Sequence, residues 1–135
     1  MTDDVDNLEG QGLEDAFAQE AMGWELSSGG FYWEGTLEWP PGRVRRVRQA
    51  HRKSWNPVDS WRSFGHAVDD MRERGFEVWL HTNGQNSECS VWFANGFGGK
   101  GPLVRQLGGK NLRETGLRAF IKAVRARAKR GEVAS

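Results

Sequence analysis

The stretch from Ser54 to Gly96 constrains the fold more than any other part of the chain, because its hydrophobic period changes once, in the middle. Asn56 is a helix-capping residue type, and Pro57 suits the first helical position, where a backbone N–H has no partner anyway. Val58, Trp61, Phe64, Val68 and Met71 recur at spacings of three and four and so line one helical face. Arg62, Asp69, Asp70, Arg72 and Glu73 fall largely on the other. Gly75 is the expected stop, since glycine tolerates positive φ. From Phe76 the period is two: Phe76, Val78 and Leu80 alternate with Glu77, Trp79 and His81. Asn83-Gly84 opens a turn, after which Cys89, Val91 and Phe93 alternate with Ser90, Trp92 and Ala94. The pattern predicts a helix over 57–74 and then a β-hairpin. Pairing about the middle of Asn83–Glu88 sets Trp79 opposite Trp92 and Leu80 opposite Val91. One sheet face is then aliphatic and the other carries a Trp pair. Both want cover, Trp79 and Trp92 from a helix, while Trp61 belongs to the core.

The remaining segments are arranged around that unit. Residues 1–11 are acidic and polar and are expected to be disordered. Leu13, Phe17, Ala21 and Trp24 have helical spacing, predicting a short amphipathic helix over Gly12–Gly23. Trp24–Trp39 is rich in aromatics and glycine and reads as short strands or a hairpin, broken by Pro40-Pro41-Gly42. Arg43–Lys53 packs six basic residues and His51 together; strand, irregular arm and short helix all remain open for it. Pro102–Leu107 reads as a third strand between glycine loops. Asn111 and Glu114 have capping-box spacing at the start of a basic helix over 111–130, with Leu117, Phe120, Ile121, Val124 and Ala128 as its apolar face, and residues 131–135 are expected to fray. The expected fold is one α+β domain over 12–130: an antiparallel sheet of three to four strands sandwiched between helices in α/β/α layers. An aromatic and basic insertion lies at about 27–53.

Composition narrows the classes. At 135 residues the chain is one domain with a core of moderate size. No apolar run is long enough to cross a membrane, and the acidic start is unlike a signal peptide, so a cytoplasmic protein without membrane association is expected. The single cysteine, Cys89, rules out an internal disulfide and a multi-cysteine zinc site, and reads as a half-buried strand thiol. Charge is segregated. Residues 1–39 hold ten acids and no Lys or Arg, whereas residues 40–135 hold all 19 basic residues and eight acids. Such asymmetry either marks an anion-binding surface or is neutralised between the two parts, within one subunit or between two.

Several motifs in order resemble a known family. They are Met22-Gly23-Trp24; Asn56-Pro57 leading into a helix with Ala67-Val68 and Met71; Gly75-Phe76 and two Trp-bearing strands; and Glu114-Thr115 with Leu117-Arg118-Ala119-Phe120. Together these resemble the phage ABA-sandwich domain family over roughly residues 50–125 and the Met22–Trp24 patch. The sequence departs from that pattern at Ser27–Lys53 and in the glycine-rich loop. The resemblance implies a sheet between helical layers, a viral origin and residence in a host cytoplasm. It brings no activity and no catalytic residue.

Gly96–Gly101 (GFGGKG) is not a Walker motif, because no Ser or Thr follows the lysine at the required place. Glycine-rich backbone can still present N–H groups to an anion, and Gly108-Gly109-Lys110 precedes a helix N-terminus. The candidate ligand-binding residues are Gly98, Gly99, Lys100, Gly109, Lys110 and Arg113 for phosphate, with Trp33 and Tyr32 to stack a base. Trp33, Trp39 and Tyr32 are the aromatics expected to be exposed. A second candidate is a basic surface of Arg43, Arg45, Arg46, Arg48, Arg52 and Lys53, joined to the last helix. His51, His66 and His81 have no metal spacing, no nucleophile is implied, and neither cofactor nor catalysis is expected. The first functional expectation is a small accessory protein, homo-oligomeric, that sequesters a phosphate-bearing ligand such as a nucleotide signal of host immunity. Two alternatives stand beside it. One is an inhibitor that binds a host defence protein through the acidic N-terminal arm or the aromatic segment. The other is a nucleic-acid binder using Arg43–Lys53 and the C-terminal helix.

Overall fold

A computed structural model describes residues 5–83, 86–93, 102–108 and 111–134. A 3-10 turn at Val5–Asn7 is followed by α1 (Gly10–Glu20), β1 (Glu25–Leu26), β2 (Tyr32–Glu38) and β3 (Val44–His51). After a second 3-10 turn at Arg52–Ser54 come α2 (Trp61–Glu73), β4 (Phe76–Asn83), β5 (Asn86–Phe93), β6 (Val104–Leu107) and α3 (Leu112–Ala134). The class is α+β with antiparallel pairing throughout, as the sequence predicts. The strands form two three-stranded sheets, ordered β1-β2-β3 and β4-β5-β6.

The central unit forms with two adjustments. Residues 56–60 make a separate turn, with the Asp59 and Ser60 N–H groups both donating to the Asn56 carbonyl. Ser60 is extended and its hydroxyl accepts from the Ser63 N–H at 3.3 Å, so Ser60 rather than Asn56 caps α2. Trp61 therefore becomes the first helical residue and is 58% exposed, not part of the core. The buried stripe is Phe64, Ala67 and Met71. Gly75 closes the helix at φ +91°, a conformation side-chain-bearing residues resist. In the hairpin, Trp79 faces Ser90 and Glu77 faces Trp92, a shift of two residues from the expected pairing. A shift of two preserves each side chain's face, so the division into two faces survives.

Phe76, Val78 and Leu80 with Cys89, Val91 and Phe93 form the inner face, and α2 and α3 pack against this sheet. Trp79, Ser90, Trp92, Arg105 and Leu107 belong to the outer face. Trp79 is 46% exposed, lies flat against His81 at 5.2 Å, and receives no helix among the described residues. Trp92 is half-buried. The helix expected over this Trp pair is not there, because α1 packs on α3 instead.

A chain of aromatic rings ties the helices together. Phe64 stacks on Phe120 at 5.8 Å, Phe120 meets Phe17 at 6.0 Å, Phe17 stacks on Trp55 at 6.2 Å, and Trp24 edges Trp55 at 5.1 Å. Trp33, fully buried in β2, anchors the first sheet into the same core. Residues 5–11, expected to be disordered, are held in place: Val5 is buried, Asp6 takes the Lys122 ammonium at 2.9 Å, and α1 starts at Gly10. Helix α3 is longer than expected and reaches Ala134. Its start is as the sequence predicts, with the Asn111 side chain accepting from the Glu114 N–H at 2.8 Å.

Candidate nucleic-acid interface

The segment that sequence periodicity left open, Arg43–Lys53, supplies strand β3, which pairs with β2 as a two-stranded ribbon. Trp24–Lys53 folds as β1-β2-β3, and Pro40-Pro41-Gly42 is its turn rather than a break between elements. The Arg43 N–H donates to the Pro40 carbonyl at 2.9 Å, the Trp39 N–H to the Arg43 carbonyl at 3.0 Å, and the Gly42 N–H to the Glu38 carboxylate at 2.9 Å. Proline at the second turn position lacks an N–H that nothing here would accept. Residues 36–46 are exposed without interruption. At about 3.3 Å per residue, the last four residues of the outgoing strand carry the tip roughly 13 Å beyond the packed base.

Pairing sorts the ribbon into two unlike faces. Gly35 faces Val47 and Leu37 faces Arg45, with Trp39 opposite Arg43 at the tip. That face has arginine and apolar side chains and no carboxylate. Glu34 faces Arg48 and Thr36 faces Arg46 on the other side, where charges are matched. Arg46 reaches Glu25 at 3.0 Å and Glu34 at 3.9 Å, and Arg48 lies over the Tyr32 ring at 3.7 Å. A register shift at Trp33/Glu34 separates the buried base of the ribbon from its exposed end.

The expected basic surface thus divides. Arg43 and Arg45 are exposed and make no ion pair among the described residues, and Lys53 is exposed beyond them. Arg52 is committed to Asp15 of α1 at 2.5 Å, an interaction that raises the pKa of its guanidinium. Four cations of the C-terminal helix are engaged within the domain instead. Arg118 pairs with Glu114 at 2.8 Å inside the core and donates to the Leu8 carbonyl at 2.8 Å. Lys122 binds Asp6, Arg125 binds Glu20 at 2.7 Å, and Arg127 donates to the Arg74 carbonyl and covers Phe76. Part of the charge segregation is therefore neutralised internally, with Lys122 and Arg125 of α3 meeting Asp6 and Glu20 of the acidic N-terminal third.

The expected phosphate site is not brought together among the described residues. Gly98, Gly99, Lys100, Gly109 and Lys110 lie outside them. Arg113 donates to the Val58 carbonyl at 2.7 Å and covers Trp61 at 4.6 Å, a structural role between α3 and the turn before α2. Trp33, expected to be exposed for stacking, is fully buried, and Tyr32 is half-buried beneath Arg48. Trp39, expected to be exposed, is 65% exposed.

Other reactive groups are structural. Burial pushes the Cys89 thiol up to about 12, far from a nucleophile's range. Burial likewise raises the Glu14 carboxyl to about 7, where it accepts the Val58 N–H at 3.0 Å. No group of three His, Cys, Asp or Glu among the described residues is placed to hold a metal, and no described helix is long and apolar enough to cross a membrane. What fold and surface define is an α+β domain with a basic, apolar-tipped β-ribbon. Comparison with protein-family models, curated proteins and solved structures finds no match.

Proposed function

We propose that the chain binds double-stranded DNA through the β2–β3 ribbon, with Arg43 and Arg45 against the phosphate backbone. The observation that carries this reading is the contrast in charge. The cations of α3 described above are engaged within the domain, whereas Arg43 and Arg45 stand unpaired on a carboxylate-free face. Released counterions supply most of the affinity for a polyanion, so unpaired arginines are the groups that matter. A two-stranded ribbon has the width of the B-form major groove, which at about 12 Å admits one, while the A-form major groove of RNA is too narrow. The free edge of β3 also argues against a strand partner. Arginines along an edge strand discourage another strand from pairing there.

The test is fluorescence anisotropy of a labelled DNA duplex at low salt. Arg43→Ala with Arg45→Ala is expected to weaken binding at least tenfold. Lys122→Ala is expected to leave affinity within about twofold, since Lys122 serves Asp6 and Gln106. Equal loss in both variants, or tighter binding of an RNA duplex of the same sequence, contradicts the reading.

A further inference from the structure

The tip of the ribbon carries more than charge. Trp39 is 65% exposed, Leu37 is exposed, and Pro40 and Pro41 complete an apolar end, while the equally exposed Val44 faces Glu38 on the other side. Burying none of these in the monomer leaves a large hydration cost that a phosphate contact does not relieve. Strand alternation places Leu37 and Trp39 on the face of Arg43 and Arg45. An apolar patch bordered by unpaired cations complements one surface in particular, a base step bordered by phosphates.

We propose that Trp39, backed by Leu37, is a wedge that enters a base step of the bound duplex and kinks it, while Arg43 and Arg45 hold the flanking phosphates. This rests on the DNA-binding reading above and extends it to the mode of binding. Flat aromatic and apolar side chains inserted between bases unstack them, and the cost is met by the additional surface that the bent duplex wraps. Trp39 is the last residue before the Pro40-Pro41-Gly42 turn and is 65% exposed, which places its indole near the end of the ribbon on the arginine face. The cations lie one strand away, Arg45 opposite Leu37 and Arg43 opposite Trp39, so both stand on the same flank of the wedge and face successive phosphates of one strand.

Two consequences follow for a DNA duplex carrying a donor and an acceptor dye at its ends. Wild-type protein should shorten the end-to-end distance on binding. It should also bind a centrally nicked duplex about tenfold more tightly than the intact one, because the nick removes most of the unstacking cost. Trp39→Ala should abolish both effects while leaving the slope of log K against log salt on the intact duplex unchanged, since that slope reports the arginines. Trp39 is exposed, so the variant should fold normally, which circular dichroism and the melting midpoint verify. Binding without bending, or bending that survives Trp39→Ala, overturns the wedge alone. Absence of binding to either duplex overturns the DNA-binding reading as well. A change of oligomeric state on Trp39→Ala, measured by sedimentation, would assign the tip to a contact between copies of the chain and overturn the wedge.

Discussion

Glu14 offers a sharp test of how the core is built. Its side chain is 7% exposed in α1, where it accepts the Val58 N–H at 3.0 Å and so anchors the turn before α2. Burial raises its pKa from 4.5 to about 7, the Val58 hydrogen bond opposes that rise, and the nearby carboxylates of Asp59 and Asp15 add to it. A carboxyl with a raised pKa in the folded state stabilises nothing by ionising. Below pH 4.5 both states are protonated; between 4.5 and about 7 the folded state holds the proton that the unfolded state has released, and stability falls as pH rises. Above about 7 the folded protein bears the full cost of a buried charge, about 3 kcal/mol. Glu14→Gln keeps an oxygen for the Val58 N–H and removes the charge. We expect it to match wild type at pH 4.5 and to exceed it by about 2 kcal/mol at pH 8, the remainder being lost with the charge-assisted hydrogen bond. Urea unfolding followed by Trp fluorescence at both pH values measures this, with an unchanged m-value as control. A difference independent of pH, or a Gln variant less stable than wild type at pH 8, refutes the reasoning.

Three further outcomes bear on the same core. In Gly116→Ala the new Cβ would sit 2.6 Å from Phe64 Cζ, a ring fixed by its stack on Phe120. The overpacking cost of about 1–3 kcal/mol should exceed the helix-propensity gain of about 1 kcal/mol, so urea unfolding should show net destabilisation. Arg118→Met leaves Glu114 buried without its guanidinium and should cost about 3 kcal/mol in the same assay; a loss under about 1 kcal/mol would contradict a buried ion pair. Cys89 should resist a thiol reagent at pH 8 in the folded protein and react fully in urea, and rapid reaction of native protein would refute its burial.

Where periodicity was long and unambiguous, the sequence announced the element. Helix α2, the β4–β5 hairpin and the Asn111 cap are legible in Phe64–Met71, Phe76–Leu80 and Asn111–Glu114. The capping residue of α2 was not, because Asn56 and Ser60 are both good caps and tertiary hydrogen bonding of the Asn56 side chain to Ser63 chose between them. Strands β1 and β2 are legible in Trp24–Trp39, but β3 was hidden for a different reason. In a ribbon exposed on both faces, alternation of polar and apolar residues has no core to report, and RVRRVRQAH reads equally as strand or helix. The available signal was Pro40-Pro41-Gly42 between two segments of matching length, which marks a turn as readily as a break. The fate of the cations was also beyond sequence. That Lys122 and Arg125 meet Asp6 and Glu20, more than a hundred residues away in the chain, is set by α1 packing on α3. That packing engages Lys122 and Arg125, while Arg43 and Arg45 make no ion pair among the described residues.

The most direct measurement of the ribbon's role is the salt dependence of duplex DNA binding, plotted as log K against log salt for wild type and for the Arg43→Ala, Arg45→Ala double variant. Each phosphate contact contributes about −0.9 to the slope. If the two arginines neutralise one phosphate each, the double variant's slope is shallower than wild type's by about 2. Parallel slopes would mean that the two arginines do not touch the backbone, and the proposed interface would be wrong.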